Sequence, residues 1–224
     1  GTLVVSDFLI APLSRSSNVA PLVAYSGTSF FVAWQDSPLS LPGESSQIFF
    51  TRVSSAGIPQ LASSLSASGQ DQQLEFLVAG ASAETLILYQ DLAANPSVTR
   101  AARIAPDGSF AGPSDGVSLF SRGFGPLSFG APIAAAFING EYVVLSSHGA
   151  QIDSSVLKTR VRTDGTVIRT SVPFVEVGQG ETALAEDDFP RAIYNGIDEF
   201  FFIRNSRVSE SAFHLLTRRV KTDG

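Results

Sequence analysis

Arg103-Ile104-Ala105-Pro106-Asp107-Gly108 is one of four copies of a single phrase: an arginine, then Val or Ile, three mostly polar residues and a glycine. The others are Arg52-Val53-Ser54-Ser55-Ala56-Gly57, Arg160-Val161-Arg162-Thr163-Asp164-Gly165 and Arg219-Val220-Lys221-Thr222-Asp223-Gly224. Asp-Gly between two runs of β-forming residues is a short-range hairpin signal. The glycines lie 51, 57 and 59 residues apart. Regular spacing on that scale marks a repeat protein.

Each phrase ends the third strand of a four-strand sentence and turns the chain into the fourth. In the first repeat these are Pro21 to Tyr25, Phe30 to Trp34 ending in Gln35-Asp36, Ile48 to Val53, and Ile58 to Leu61 after Gly57. The second repeat runs Leu74 to Ala79, Thr85 to Asp91, Val98 to Ile104. The third runs Pro132 to Phe137, Asn139-Gly140, Tyr142 to Leu145, Val156 to Val161, and the fourth Arg191 to Tyr194, Asn195-Gly196, Glu199 to Ile203, Phe213 to Val220. Thr2-Leu3-Val4-Val5 at the beginning has no hairpin partner of its own. Joined end to start, Gly224 would lie 57 residues before Gly57, within the same series.

These features resemble a β-propeller, in which blades of four strands ring an axis. The run Tyr25-Ser26-Gly27-Thr28-Ser29-Phe30-Phe31-Val32-Ala33-Trp34-Gln35-Asp36, with Thr51-Arg52-Val53, is similar to a repeat of exported bacterial propeller proteins. The resemblance implies an all-β, four-bladed ring closed by pairing Thr2–Val5 with the last blade. Part of a larger propeller is the alternative. One domain over 1–224 is expected, with blades at 14–66, 67–117, 126–175, and 184–224 plus 1–10.

Composition agrees with many short strands. Of 224 residues, 44% are hydrophobic and 16% charged, with 19 Gly and 12 Pro. The net charge of -6 and the absence of a basic stripe argue against nucleic acid as partner. With no cysteine, disulfides, thiolate metal sites and a cysteine nucleophile are excluded. No apolar run is long enough for a membrane helix. The chain opens on Gly1 and holds no Met, as a processed or trimmed product does, and a secreted, periplasmic or cell-surface location is expected.

Turns between strands one and two, and between three and four, are short and alike, so they share one end of the blades. The longer connections, 37–46, 92–97, 146–154 and 204–211 together with 11–19, 64–73, 114–130 and 174–189, share the other, where function is expected. Strand two ends there in Gln35-Asp36, Gln90-Asp91, Ser147-His148 and Arg204-Asn205. Asp36, Asp91, His148 and Asn205 are therefore candidate ligand-binding residues, and Arg122 and Phe124 of the longest loop join them. The alternative for Asp36 and Asp91 is structural: pairing with Arg52 and Arg103, or capping a turn. Those recurring arginines themselves are expected to pack their stems between blades. Glu186, Asp187 and Asp188 are weak calcium candidates without EF-hand spacing, and no other cofactor is implied.

No Gly-x-Ser-x-Gly elbow, clustered histidines or dinucleotide fingerprint is present, and His214 sits between apolar neighbours in a strand. The favoured expectation is thus a non-catalytic binding or scaffold module contacting protein or polysaccharide. Its alternatives are a structural subunit of an extracellular assembly, and a carbohydrate-active hydrolase or lyase using paired carboxylates.

Overall fold

In the computed structural model, Gly57, Gly108 and Gly165 adopt φ of 78°, 87° and 88°. Each donates its N–H to the carbonyl three residues back, on Ser54, Ala105 and Arg162, at 2.9, 3.0 and 2.9 Å. The next pair then closes the loop, as where Ala105 N–H bonds Ser109 O at 2.8 Å. This is the three-residue hairpin, a type I turn followed by a left-handed position, which a residue without Cβ takes freely. Asp107 Oδ1 accepts from the N–H and the hydroxyl of Ser109 at 2.9 and 2.6 Å, and Asp164 Oδ1 from Thr166 N–H at 2.8 Å. The Ser109 hydroxyl, then its N–H, hold the Asp107 carboxyl below its ordinary range. A lowered carboxyl value means that this contribution is present above the unfolded pKa and fades as pH falls through the folded one.

The structure describes residues 17–37, 45–65, 72–80, 84–94, 96–121, 132–148, 155–169, 175–176, 191–209 and 212–222. All regular elements among them are strands: β1 Ser17–Tyr25, β2 Ser29–Ser37, β3 Gln47–Ser54, β4 Ser63–Ser64, β5 Gln72–Ala79, β6 Thr85–Asp91, β7 Val98–Ile104, β8 Val117–Ser121, β9 Pro132–Ile138, β10 Glu141–His148, β11 Ser155–Arg162, β12 Val167–Arg169, β13 Val175–Glu176, β14 Arg191–Tyr194, β15 Glu199–Ser209 and β16 Ala212–Lys221. They form four antiparallel sheets in simple meander order: β1-β2-β3-β4, β5-β6-β7-β8, β9-β10-β11-β12 with β13 also on β11, and β14-β15-β16, here sheets 1 to 4. The chain divides into two compact units, Gly1–Ser118 and Leu119–Gly224.

In the first unit, sheets 1 and 2 share a core. Phe31, Ala33, Ile48, Phe50 and Leu65 of sheet 1 meet Ile87, Tyr89, Ala102 and Ile104 of sheet 2. Residues alternate in direction along a strand, so these positions two apart define the facing sides. Sheet 1 has a second apolar side as well, where Val32, Trp34 and Val53 cluster with Phe49, the Trp34 and Phe49 rings stacked 6.0 Å apart. Every residue of β6 is buried. In the second unit, Ile133, Ala134, Ala136, Val143, Leu145 and Val156 of sheet 3 pack on Phe200 and Phe202 of sheet 4. Ala134 and Ala136 thus serve packing. Fully burying a Phe stabilises by roughly 1.5–3 kcal/mol, and such junctions are where the sheets gain it.

The outer strands depart from expectation. Ile58 to Leu61 is not a strand: only Pro59 bridges, to Val53, Leu61 is fully outside at 94% exposure, and pairing resumes at β4. The same break separates the Phe110 bridge to Ile104 from β8, and β12 from β13. Pro59 cannot donate to a ladder and suits an edge. Consequently the expected loops 114–130 and 174–189 contain β8 and β13. The expected loop 204–211 is largely strand too, since β15 and β16 stay paired as far as Ser209 and Ala212. The polar stretch near Ser14 to Asn18 gives way to β1 at Ser17.

The second break depends on Gly116, whose φ is 69° and whose added Cβ would lie 2.6 Å from the carbonyl oxygen of Ala101. Gly116→Ala therefore costs about 2 kcal/mol in urea unfolding. Gly112, with nothing within 4 Å of such a Cβ, changes stability by less than about 0.5 kcal/mol when made Ala.

Candidate functional site

At the end of the sheets away from the glycine turns, three of the first strands carry a β-bulge, each at the equivalent place in the register of its own sheet. Register slips between Val19 and Leu22 in β1, between Leu74 and Phe76 in β5, and, opposite Leu145 and Ser146, between Ala134 and Pro132 in β9. Bulges bend a strand and re-aim side chains. In sheet 2 the extra residue is Glu75, the one acidic residue on the four described first strands. An acid inside the apolar run Leu74 to Val78 was the available sequence signal for it, and the expectation built from the strand-two ends passed over it.

Asp36 lies near the end of β2, opposite Asn18 and Gln47, and is half-buried. Asp91 ends β6 and is 1% exposed. Its Oδ2 accepts from Arg100 Nε at 3.0 Å and its Oδ1 from Ala94 N–H at 3.3 Å. Asp91 thus pairs with a strand-three arginine and caps a turn, with Arg100 in the part expected of Arg103. Arg100 also reaches Asp115, Nη1 to Oδ2 at 3.7 Å. Tyr89 donates its hydroxyl to Asp115 O, and burial pushes its phenol well up, keeping it a neutral donor.

The backbone puts His148 at the last residue of β10, opposite Ser155. Asn205 lies within β15, opposite Leu215, and His214 faces Ser206. Asn205 is therefore not at a strand end as expected. The side chains of His148, Asn205 and His214, and the whole of Arg122, Phe124, Glu186, Asp187 and Asp188, lie outside the described residues. Among the described residues no three acidic or histidine side chains form a metal cluster.

Amides tie the two sheets of the first unit together at this end. Gln35 Oε1 accepts from Leu74 N–H at 3.3 Å, Gln72 Oε1 from Ile48 N–H at 3.2 Å, and Ser46 Oγ donates to Gln72 O at 2.9 Å. Gln72 is wholly buried, and its Nε2 has no partner among the described residues. The end of β2 with Asp36 and the bulge with Glu75 are thereby held one residue either side of the Gln35–Leu74 contact.

At the opposite end three of the four recurring arginines make ion pairs within their own sheets, while Arg52 donates to the Ser29 hydroxyl. Arg103 Nε meets Glu84 Oε1 at 3.0 Å, Arg160 Nη1 meets Glu141 Oε2 at 3.1 Å, and Arg219 Nε meets Glu199 Oε2 at 3.0 Å. The expected stem packing suits Arg52 and Arg103, which are 9% and 8% exposed; the Arg219 side chain is 71% exposed and does not pack so. A glutamate opening strand two, 19 or 20 residues before the arginine, was legible in the sequence but unread.

No family model and no curated protein matches the chain. Solved structures do. An endo-arabinase from Bacteroides thetaiotaomicron is similar at a TM-score of 0.53 and 14% identity, over 90% of this chain and 74% of that one. A thermostable family-43 glycoside hydrolase is similar at 0.53 and 12%, over 90% and 71%. The likeness supports the propeller fold expected from the repeats. It also corrects the preference for a non-catalytic binding or scaffold module: scaffolds similar over nine-tenths of the chain belong to glycoside hydrolases, so the lack of a named motif is no ground for excluding catalysis.

The buried pair makes a stability prediction. Arg100→Ala strands the Asp91 carboxylate and lowers unfolding free energy by about 3–5 kcal/mol, whereas Arg160→Ala, at a side chain 37% exposed, costs under about 1 kcal/mol. Urea denaturation of the two variants separates them.

Proposed function

We propose that this chain is the propeller of a carbohydrate-active hydrolase whose substrate is a polysaccharide, arabinan being the first to try. The observation carrying this reading is the fold likeness to an endo-arabinase and a family-43 glycoside hydrolase over 90% of the chain. The bulged, long-loop end supports it, with a carboxylate on one strand of each of the two sheets of the first unit, Asp36 on β2 and Glu75 on β5. Glycoside hydrolysis uses two carboxyl groups, one protonating the leaving oxygen and the other acting as base or nucleophile. Glu75 and Asp36 are the proposed pair. Asp91 serves instead to hold the end of β6 through Arg100. His148, Asn205, Arg122 and Phe124 are retained as proposed sugar contacts, and an exported location fits a polymeric substrate.

Ring closure belongs to the same proposal. Sheet 4 has three described strands where the others have four or more, and Thr2–Val5 is the proposed fourth, making four blades. A larger propeller is the competing architecture, since about a quarter of each similar structure has no counterpart here. Val4→Pro would lower Tm by several degrees under closure, and an unchanged Tm would reject it.

Reducing-end release from arabinan and a panel of plant and bacterial polysaccharides tests the activity. Glu75→Gln and Asp36→Asn are each expected to lower kcat at least a hundredfold with Tm preserved. Absence of release from every polymer by the full chain rejects the hydrolase reading.

A further inference from the structure

We propose that Asn139-Gly140, the two-residue turn between β9 and β10, is a site of spontaneous deamidation and isoaspartate formation, and that local hydrogen bonds hold the other described Asp-Gly and Asn-Gly pairs back from the same chemistry. The inference stands apart from the hydrolase reading.

In this reaction the main-chain nitrogen of a glycine attacks the side-chain Cγ of the residue before it. At Asn139 the bond from Gly140 N to Cγ forms, the Cγ–Nδ2 bond breaks, and ammonia leaves with the proton that the glycine nitrogen gives up. One water then opens the cyclic imide, at Cγ to leave aspartate or at the α-carbonyl to leave isoaspartate. The glycine N–H must be free of other partners, and Cγ must be free to swing onto it.

Five Asp-Gly or Asn-Gly pairs lie among the described residues, and they differ in both respects. The N–H groups of Gly108, Gly116 and Gly165 donate to the carbonyls of Ala105, Pro113 and Arg162 at 3.0, 2.9 and 2.9 Å. The carboxylates before them are engaged too: Asp107 by Ser109, Asp164 by Thr166 N–H, and Asp115 by Arg100. Asn195 is held through its amide. Its Oδ1 accepts from the N–H groups of Ile197, Asp198 and Glu199 at 2.8, 3.0 and 3.1 Å, and its Nδ2 donates to Asp198 Oδ1 at 3.3 Å. This Asx turn fixes the Asn195 amide toward residues 197–199 instead of leaving it to swing onto Gly196.

Asn139-Gly140 has neither restraint: among the described residues no hydrogen bond engages the Asn139 amide or the Gly140 N–H. Both residues are exposed, and a Cβ added to Gly140 would meet nothing within 4 Å. Their φ angles of 51° and 84°, with Ile138 paired to Glu141, make this a type I′ turn, which leaves its two central N–H groups outside the ladder. Ring closure needs the Asn139 backbone to rotate from its native angle, and an exposed hairpin tip opens at less cost than a core strand. The isoaspartyl product carries one more main-chain carbon, so the loop no longer fits Ile138 opposite Glu141. Register is then lost from the turn inward in the strands that supply Ala134, Ala136, Val143 and Leu145 to the core.

The test holds the full chain at mildly alkaline pH, follows each amide by peptide mapping, and counts isoaspartate by enzymatic carboxyl methylation. Asn139 should deamidate about tenfold or more faster than Asn195, which must first give up several hydrogen bonds. In urea, with both turns unfolded, the two rates should converge. Asn139→Gly, a Gly-Gly pair that the same turn accepts, should abolish the isoaspartate signal. Should that variant fail to fold, the mapped rates of the unaltered chain decide. An Asn139 amide that stays intact, an Asn195 rate equal to it in the folded chain, isoaspartate arising first at Asp107, Asp115 or Asp164, or a rate difference that persists in urea would each overturn the proposal.

Discussion

A small antiparallel sheet that is apolar on more than one side cannot bury itself, and the rest of this structure follows from that constraint. Sheet 1 presents Phe31 and Phe50 on one side and Val32 and Trp34 on the other, and β6 is buried along its whole length. Sheets 1 and 2 therefore bury apolar sides against one another in the first unit, and sheets 3 and 4 do so in the second. In each unit the repeated hairpin closes strand three in the same way, with a left-handed glycine at 57 and 108 in the first and at 165 in the second.

The two ends treat charge differently. Near the glycine turns, Glu84, Glu141 and Glu199 meet arginines across one strand pair, a diagonal contact that long side chains can span. Its environment changes from the nearly buried Arg103 to the open Arg219, so one sequence motif carries different energetic weight in different sheets. At the long-loop end, bulges beside the ends of strand two bring Glu75 out of regular alternation and set Gln35 and Gln72 across the junction of sheets 1 and 2. That irregularity is a feature of sites that must present side chains rather than bury them.

Much of the architecture could be read beforehand because it depends on local chemistry. The hairpins at Gly57, Gly108 and Gly165 need only the turn's backbone geometry, and the strands β2, β3, β6, β7 and β11 need only their apolar runs. The outer strands were less legible. Pro59 and Gly116 break ladders whose other half comes from residues several positions away, and a break of that kind has no period. Strand ends were misjudged for the same reason: Asn205 looks like a turn residue, yet pairing with Leu215 keeps it in β15.

For the site, residue type was not enough. Asp36 and Asp91 occupy equivalent places in their repeats, but Asp91 is wholly buried against Arg100 while Asp36 stays half-buried at the end of β2. The sequence by itself determined the repeat, the strand order within each sheet and the chemistry of the tight turns, because these are contacts among near neighbours. Only the tertiary structure decided which carboxylates are consumed by ion pairs, which acid a bulge brings forward, and which arginine is left beside a hydroxyl. Those outcomes depend on what a second strand or a neighbouring sheet places at the same level, and no single stretch of chain contains that information.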